Sequence, residues 1–231
     1  MKKHIVILDP FPRTLKLIFS KDKFKKLKLS YKLIYAPKMH KKNFYEKNIH
    51  QASFIIGQPD LPKEILIKAK NLKAIINVES NFMNNMDYQY CFKKGIYVIA
   101  TSPVFSKPVA EIALGMTLSL LRNIHNAHLD FIKGKEKYGL ESNLKASLLS
   151  GKKIGLIGFG DLAKSLYPLL LPFSKDINVY DPWIPKLNIQ KLGFKSISLN
   201  KIFESCDVIY VLATVTTKNK HFIDKKLLNK M

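Results

Sequence analysis

One segment of the sequence restricts the possible folds more than any other. Residues 153–157 form a short apolar run typical of a buried strand, and Gly-Phe-Gly-Asp-Leu-Ala follows at 158–163 before a helix-length stretch. In this G-x-G-x-x-A spacing, Gly158 allows a tight turn out of the strand and Gly160 allows the backbone to approach a pyrophosphate. Ala163 is small enough for the helix to pack closely on the strand. The segment therefore predicts the first strand, turn and helix of a Rossmann dinucleotide-binding domain.

Two further features indicate how such a domain would hold its ligand. The backbone N–H groups at the start of the helix would face the phosphates at the positive end of the helix dipole. Asp181 follows the next predicted strand, about 20 residues after the glycines, where a carboxylate accepts hydrogen bonds from ribose hydroxyls and repels a 2′-phosphate. The alternative is an ordinary strand-to-helix turn and a turn carboxylate before Pro182. We predict NAD as the cofactor, with these binding residues: Gly158, Phe159, Gly160, Asp161, Leu162 and Asp181.

The first part of the chain has a different organisation. Short apolar runs alternate with helix-length segments as far as about residue 102. Such alternation predicts a parallel sheet with helices on its faces, so we interpret residues 1–102 as a five-stranded α/β domain. The predicted strands are residues 4–8, 31–35, 53–57, 73–78 and 96–100.

A long helix and a second α/β run follow this domain. Residues 106–121, with Ser106 as the N-cap, are apolar nearly all round, which predicts a helix buried on several sides. A doubly wound dinucleotide fold has the strand order 3-2-1-4-5-6, and the sequence supplies only the first four strands. We therefore predict that the Rossmann domain is incomplete after its fourth strand. The predicted strands are residues 153–157, 177–180, 195–197 and 208–212.

Composition excludes several other classes of protein. The formal net charge is +22, but only Arg13 and Arg122 among the 39 basic residues are arginines, and the lysines are spread along the chain. This disfavours a nucleic-acid partner, because base readout and phosphate clamping use the planar arginine fork. Cys91 and Cys206 lack a metal-binding or redox spacing, so we predict no metal site and a reducing, cytoplasmic location. No apolar run is long enough to predict a signal peptide or a membrane span.

Four stretches taken together resemble the D-isomer-specific 2-hydroxyacid dehydrogenase family. They are residues 72–78 with Asn-Asn-Met-Asp at 84–87, Val-Ala-Glu at 109–111, the glycine motif with Tyr-Asp-Pro at 180–182, and Cys-Asp-Val-Ile at 206–209 with residues 227–231. The resemblance implies a flavodoxin-like substrate domain over 1–102 and an NAD-binding Rossmann domain over 103–231. It also implies that Ala213 lies on the adenine side of the cofactor and that the helix over 109–121 forms a homodimer contact.

The resemblance also implies the chemistry. Members of the family move a hydride between C2 of a 2-hydroxy or 2-oxo acid and the nicotinamide ring. A histidine assisted by a carboxylate handles the proton, an arginine orients the substrate, and all three align beyond Met231. We therefore assign no catalytic residue within this sequence. The six histidines are predicted to be surface or packing residues: His4, His40, His50, His125, His128 and His221.

One loop departs from the family pattern. Where many members have a glycine-rich turn that holds the substrate carboxylate, this sequence has Glu79, Ser80 and Asn81. The negative charge of Glu79 would repel a carboxylate, so either Ser80 and Asn81 present the hydrogen-bond donors or the substrate is not a simple small 2-oxo acid. The remaining alternative is an ordinary loop at the end of a strand.

These observations leave three hypotheses for the function. The first is an NAD-dependent oxidoreductase that acts on the CH–OH group of a 2-hydroxy acid and whose catalytic half is absent from this sequence. The second is a non-catalytic NAD-binding module or a regulatory relative of the same family. The third is a nucleic-acid binder that uses its positive surface. We favour the first, with a small 2-hydroxy or 2-oxo acid as substrate and a homodimer as the complete protein.

Overall fold

The structure is a computed structural model that describes residues 3–79, 82–216 and 219–231. It divides into two compact units, unit 1 over residues 1–102 and unit 2 over residues 103–231.

Unit 1 contains a parallel sheet of five strands in the order β2-β1-β3-β4-β5. This is the strand order of flavodoxin-like folds, which confirms the predicted fold class of this part of the chain. The apolar residues of the central strands, such as Ile7, Ile55 and Ile75, are fully buried in the core. The strands are β1 Ile5–Asp9, β2 Lys32–Tyr35, β3 Phe54–Gly57, β4 Ala74–Ile76 and β5 Tyr97–Ile99. The helices are α1 Leu15–Ile18, α2 Lys21–Ser30, α3 Lys41–Asn48, α4 Lys63–Leu66 and α5 Tyr88–Lys93, with a 3-10 turn at Ile49–Gln51.

Unit 2 contains a parallel sheet of four strands in the order β8-β7-β6-β9. This order matches the first four strands of a Rossmann domain, 3-2-1-4, as the sequence predicted. One side of β9 pairs with β6, and no strand among the described residues pairs with its other side. The strands are β6 Ile154–Ile157, β7 Ile177–Tyr180, β8 Lys195–Ser196 and β9 Val208–Val211. The helices are α6 Ser102–Leu121, α7 Ile124–Ile132, α8 Gly139–Asn143, α9 Asp161–Leu170, α10 Lys186–Lys191, α11 Leu199–Ser205 and α12 Lys225–Leu228.

Helix α6 differs from its sequence prediction in two respects. It begins at Ser102, so Ser106 is not an N-cap but a buried residue whose hydroxyl donates to the carbonyl of Pro103 and accepts from Ser165. The prediction that the helix is buried on several sides is wrong, because Ile112 and Leu120 are each more than three-fifths exposed. One face of the helix packs on the core of unit 2 through Ala110, Leu114 and Leu118, and the described chain leaves the apolar residues on the other side exposed.

Helix α6 is long enough and apolar enough to cross a membrane. No other helix within residues 3–79, 82–216 and 219–231 meets both conditions. The core helices of soluble proteins pass the same test, so this single helix is weak evidence for a membrane span.

Candidate dinucleotide-binding site

The turn after β6 depends on Gly158. Its φ of +92° lies in the left-handed region, which residues with a side chain rarely adopt. Its N–H donates to the carbonyl of Tyr180 over 2.8 Å. A Cβ atom at this position would lie 2.8 Å from both N and Cα of Ala213. Glycine is therefore required at this position, because it lets the turn pass directly against the segment that follows β9.

Gly160 has a different environment. Its φ of −82° is accessible to any residue, and a Cβ atom there would have no neighbour within 4 Å. The space in front of it is open, as expected where a backbone must approach a ligand. Helix α9 starts at the next residue, and its first backbone hydrogen bond runs from Lys164 N to Gly160 O over 3.0 Å. The N–H groups of residues 161–163 precede this bond, at the positive end of the helix dipole.

Asp181 connects the ends of β6 and β7. Its Oδ2 accepts a hydrogen bond from the N–H of Phe159 over 2.7 Å. Its Oδ1 accepts from the N–H groups of Trp183 over 2.8 Å and Ile184 over 3.1 Å. A carboxylate oxygen can accept more than one hydrogen bond, so these three contacts fix the carboxylate while leaving acceptor capacity for a ligand hydroxyl.

A cavity of about 440 Å³ brings several of the predicted residues together. Gly158, Gly160, Asp181 and Ala213 all line it. The Phe159 side chain is buried in the core beside Tyr167 and Phe194, so this residue reaches the site only through its N–H. The predicted binding residues do not include the remaining lining residues, which are Ile157, Tyr180, Pro182, Trp183, Leu199, Leu212, Thr214, Thr216, Asn219 and Phe222.

The missed residues differ in how much signal the sequence offered. Trp183 is two positions after Asp181, so an aromatic residue beside the predicted ribose carboxylate was visible in the local sequence. Asn219 gave no such signal. Its side chain accepts from Thr216 N over 2.6 Å and donates to Thr214 O over 2.8 Å, which organises the segment after β9 at the edge of the cavity.

The predicted substrate loop is in unit 1, and only part of it can be described. Ser80 and Asn81 lie outside the described residues. The Glu79 carboxylate forms a two-bond ion pair with Arg13, with Nε to Oε1 at 2.9 Å and Nη2 to Oε2 at 3.2 Å. The hydrogen bond to Glu79 raises the pKa of the Arg13 guanidinium. The Thr101 hydroxyl donates to the Glu79 carbonyl over 3.2 Å. Glu79, the residue predicted to repel a carboxylate, is therefore fixed through both its side chain and its backbone.

The described residues contain no group of three or more His, Cys, Asp or Glu side chains that could hold a metal ion. Of the six histidines, His4 has a clear packing role: its Nδ1 lies 3.1 Å from the Ser53 hydroxyl and its ring packs edge-on against Phe54.

Comparisons with known proteins point to one family. The family model described as "D-isomer specific 2-hydroxyacid dehydrogenase, NAD binding domain" matches residues 114–231. The chain is 32% identical over 168 residues to a hydroxypyruvate reductase of Thermotoga maritima. The aligned segment covers 73% of this chain and 53% of that relative. It is 28% identical over 165 residues to a D-3-phosphoglycerate dehydrogenase of Methanocaldococcus jannaschii, covering 71% of this chain and 31% of the relative.

Solved structures agree with this result. A phosphoglycerate oxidoreductase from Rhizobium etli is 38% identical, with a TM-score of 0.75 over 99% of this chain and 70% of its own. A D-lactate dehydrogenase from Aquifex aeolicus, complexed with NAD and lactic acid, is 25% identical, with a TM-score of 0.74 over 98% of this chain and 66% of its own. The predicted α/β fold, the family resemblance and the NAD cofactor class are thereby confirmed. The chain spans between 53% and 60% of the length of the first three curated relatives.

Proposed function

Because the chain belongs to the D-isomer specific 2-hydroxyacid dehydrogenase family, we propose that residues 103–231 hold NAD and that the whole protein oxidises or reduces a small 2-hydroxy or 2-oxo acid. The observation that carries this proposal is the cavity of about 440 Å³ in which Gly158, Gly160 and Asp181 meet. NAD, when bound, accepts or donates a hydride at its nicotinamide ring. Binding and orienting the dinucleotide is the task of this chain's own residues.

The residues at the cavity fit a dinucleotide. Gly160 leaves open space where a pyrophosphate would lie, and the N–H groups around Asp161 and Leu162 are donors at a helix start. The Phe159 N–H contributes indirectly, by fixing the Asp181 carboxylate that accepts from the ribose hydroxyls. A 2′-phosphate would meet the negative charge of Asp181, which favours NAD over NADP. Ala213 lines the cavity and is proposed to lie on the adenine side.

We further propose that catalysis needs groups outside residues 1–231. In the family resemblance the proton-transferring histidine, its carboxylate and the orienting arginine align beyond Met231. The chain spans only about half of the Thermotoga maritima relative, so that relative contains additional residues that could supply them. The relatives are dehydrogenases and reductases, which favours an enzyme over a non-catalytic module.

Unit 1 is proposed to be the substrate domain, with the loop at Glu79, Ser80 and Asn81 contacting the acid. The ion pair with Arg13 offsets the Glu79 charge, which removes much of the electrostatic objection to a carboxylate nearby. Ser80 and Asn81 remain the predicted donors. Cys91 and Cys206 are buried and form no disulfide, which is consistent with the proposed location in a reducing compartment such as the cytoplasm.

A homodimer is the proposed assembly. The exposed side chains of α6, among them Ile112, Met116 and Leu120, form an apolar surface that a second copy would remove from water. Sedimentation equilibrium tests this proposal: a mass twice that of the chain would support it, and a monomer at all concentrations would contradict it.

The proposed function is tested by calorimetric titration of the 231-residue chain with NADH and with NADPH. We expect NADH to bind more tightly. In Asp181→Ala the preference for NADH should shrink by about tenfold, because the carboxylate that accepts from the ribose and repels the 2′-phosphate is gone. Glu141→Ala, which removes an exposed carboxylate elsewhere in unit 2, is the matched control. Failure of the wild-type chain to bind either nucleotide would contradict the proposal.

A further inference from the structure

Trp183 is the one tryptophan of the chain, and it follows β7 at the cavity proposed to hold the dinucleotide. The residue is 73% exposed, although tryptophan is highly buried on average in folded proteins. The indole therefore presents a large, flat apolar surface to solvent at the edge of a binding cavity. Such a surface is suited to cover an aromatic ligand.

The backbone fixes the position of this residue relative to the proposed ribose site. The Trp183 N–H donates to Asp181 Oδ1 over 2.8 Å, while Asp181 Oδ2 accepts from Phe159 in the glycine turn. The backbone of Trp183 is thus hydrogen-bonded to the same carboxylate that is proposed to hold a ribose. A base attached to that ribose would lie within reach of the indole.

The other side chains at the cavity favour a base over a charged group. Leu199, Leu212 and Phe222 line it with Trp183, and no lysine or arginine lies among its described lining residues. Asp181 is the one ionisable side chain in that set apart from the Tyr180 phenol. The cavity therefore combines apolar and aromatic side chains with the uncharged polar residues Thr214, Thr216 and Asn219 and a single carboxylate, which matches a neutral base joined to a ribose.

We propose that Trp183 stacks on the adenine of the dinucleotide and so positions the base beside the ribose that Asp181 holds. This inference rests on the proposed function, since it assumes that the cavity takes NAD. Base–aromatic stacking raises affinity by about tenfold or more. Nicotinamide mononucleotide has no adenine, so under this proposal it does not occupy the position beside the indole.

The test uses the full chain and two fragments of the cofactor, ADP-ribose and nicotinamide mononucleotide. Because the chain has a single tryptophan, its intrinsic tryptophan fluorescence reports on Trp183 alone. ADP-ribose should change this emission and nicotinamide mononucleotide should leave it unchanged. In calorimetry, Trp183→Ala and Trp183→Leu should each weaken ADP-ribose binding by about tenfold, while Trp183→Phe, which keeps an aromatic face, should stay within about threefold of wild type.

Tyr138→Ala is the matched control, because Tyr138 is 74% exposed in unit 2 and does not line this cavity. The inference is overturned if Trp183→Ala binds ADP-ribose as wild type does, or if Trp183→Leu binds as well as Trp183→Phe. Either result with NADH binding intact would reject the stacking role and leave the NAD site standing. Absence of NADH and ADP-ribose binding in the wild-type chain would reject both proposals.

Discussion

The carboxyl ends of the two sheets are built in different ways. In unit 2, the ends of β6 and β7 are joined through backbone groups, with Gly158 passing against Ala213 and the Asp181 carboxylate accepting three backbone N–H bonds. In unit 1, side chains far apart in sequence form the contacts. Glu79 pairs with Arg13, and the buried Asp9 carboxylate accepts from Lys41 over 2.6 Å and Tyr45 over 3.1 Å.

This contrast explains why the site in unit 2 was predictable from the sequence and the contacts in unit 1 were not. A backbone-built site needs particular small residues at fixed spacing, and such spacing is visible in a linear sequence. A side-chain site needs partners that only folding brings together. Single substitutions at the carboxyl end of each sheet test this difference.

Gly158→Ala should have the largest effect. The new Cβ would lie 2.8 Å from the Ala213 backbone in a residue with a φ of +92°, so we expect a loss of about 2–4 kcal/mol in the free energy of unfolding. Denaturant unfolding measures it. Gly151→Ala is the control, because Gly151 has a φ of +78° with no atom within 4 Å of the Cβ position. Equal losses in the two variants would show that the close approach to Ala213 is unimportant.

Gly160→Ala should separate binding from stability. Its φ of −82° and the open space at its Cβ position predict an unfolding free energy close to wild type. The added methyl group would occupy space proposed for the pyrophosphate, so NADH should bind about tenfold more weakly. Unfolding and calorimetry on the same preparation check both halves. Unchanged NADH affinity would place the phosphates elsewhere.

Tyr45→Phe should have a moderate effect that depends on pH. Burial raises the pKa of Tyr45 well above the ordinary value of 10.0, and the charge and hydrogen bond of Asp9 raise it further. The folded state therefore favours the neutral phenol, so this contribution to stability is present below about pH 10 and is lost as the pH rises above it. Removal of the hydroxyl should cost about 1 kcal/mol at neutral pH and make the alkaline loss of stability shallower.

Unfolding free energies measured on both sides of pH 10 test this prediction. Tyr97→Phe is the control, since Tyr97 is 74% exposed in the same sheet. If the two variants show the same alkaline profile as each other, Tyr45 does not carry the effect.

Arg13→Lys should have the smallest effect on stability. Lysine cannot form the two-bond pair with Glu79, but the pair is partly exposed, so solvent and salt already weaken it. We expect a small decrease in the unfolding midpoint at low salt that disappears at high salt. Arg122→Lys, at the other arginine, is the control. A large decrease that persists at high salt would show that the pair is a structural requirement of unit 1.

The strands and most helices could be predicted because their apolar runs are local. The order β8-β7-β6-β9 followed from the glycine motif, since that motif places the first strand of a Rossmann sheet. The burial of α6 could not be predicted, because apolar composition shows what a helix would bury and not whether a partner surface is present. The N-cap predicted at Ser106 is wrong because serine is common both at helix N-caps and within helices, and α6 begins four residues earlier, at Ser102.

Within the candidate site, the same distinction applies residue by residue. Gly158, Gly160 and Asp181 were identified from spacing, and the structure brings all three to one cavity. Phe222 and Asn219 reach it through the path of the chain after β9, which no local pattern specifies. Arg13 was noted only as one of two arginines, and its partner is 66 positions away.

An amide NMR titration of the 231-residue chain with NADH tests directly whether unit 2 holds the dinucleotide. We predict that the N–H signals of residues 158–163 and 181–184 shift together, while those around Asp9 and Arg13 in unit 1 stay unchanged. Shifts confined to unit 1, or no shifts at saturating NADH, would contradict the claim that the backbone-built end of unit 2 is the dinucleotide site.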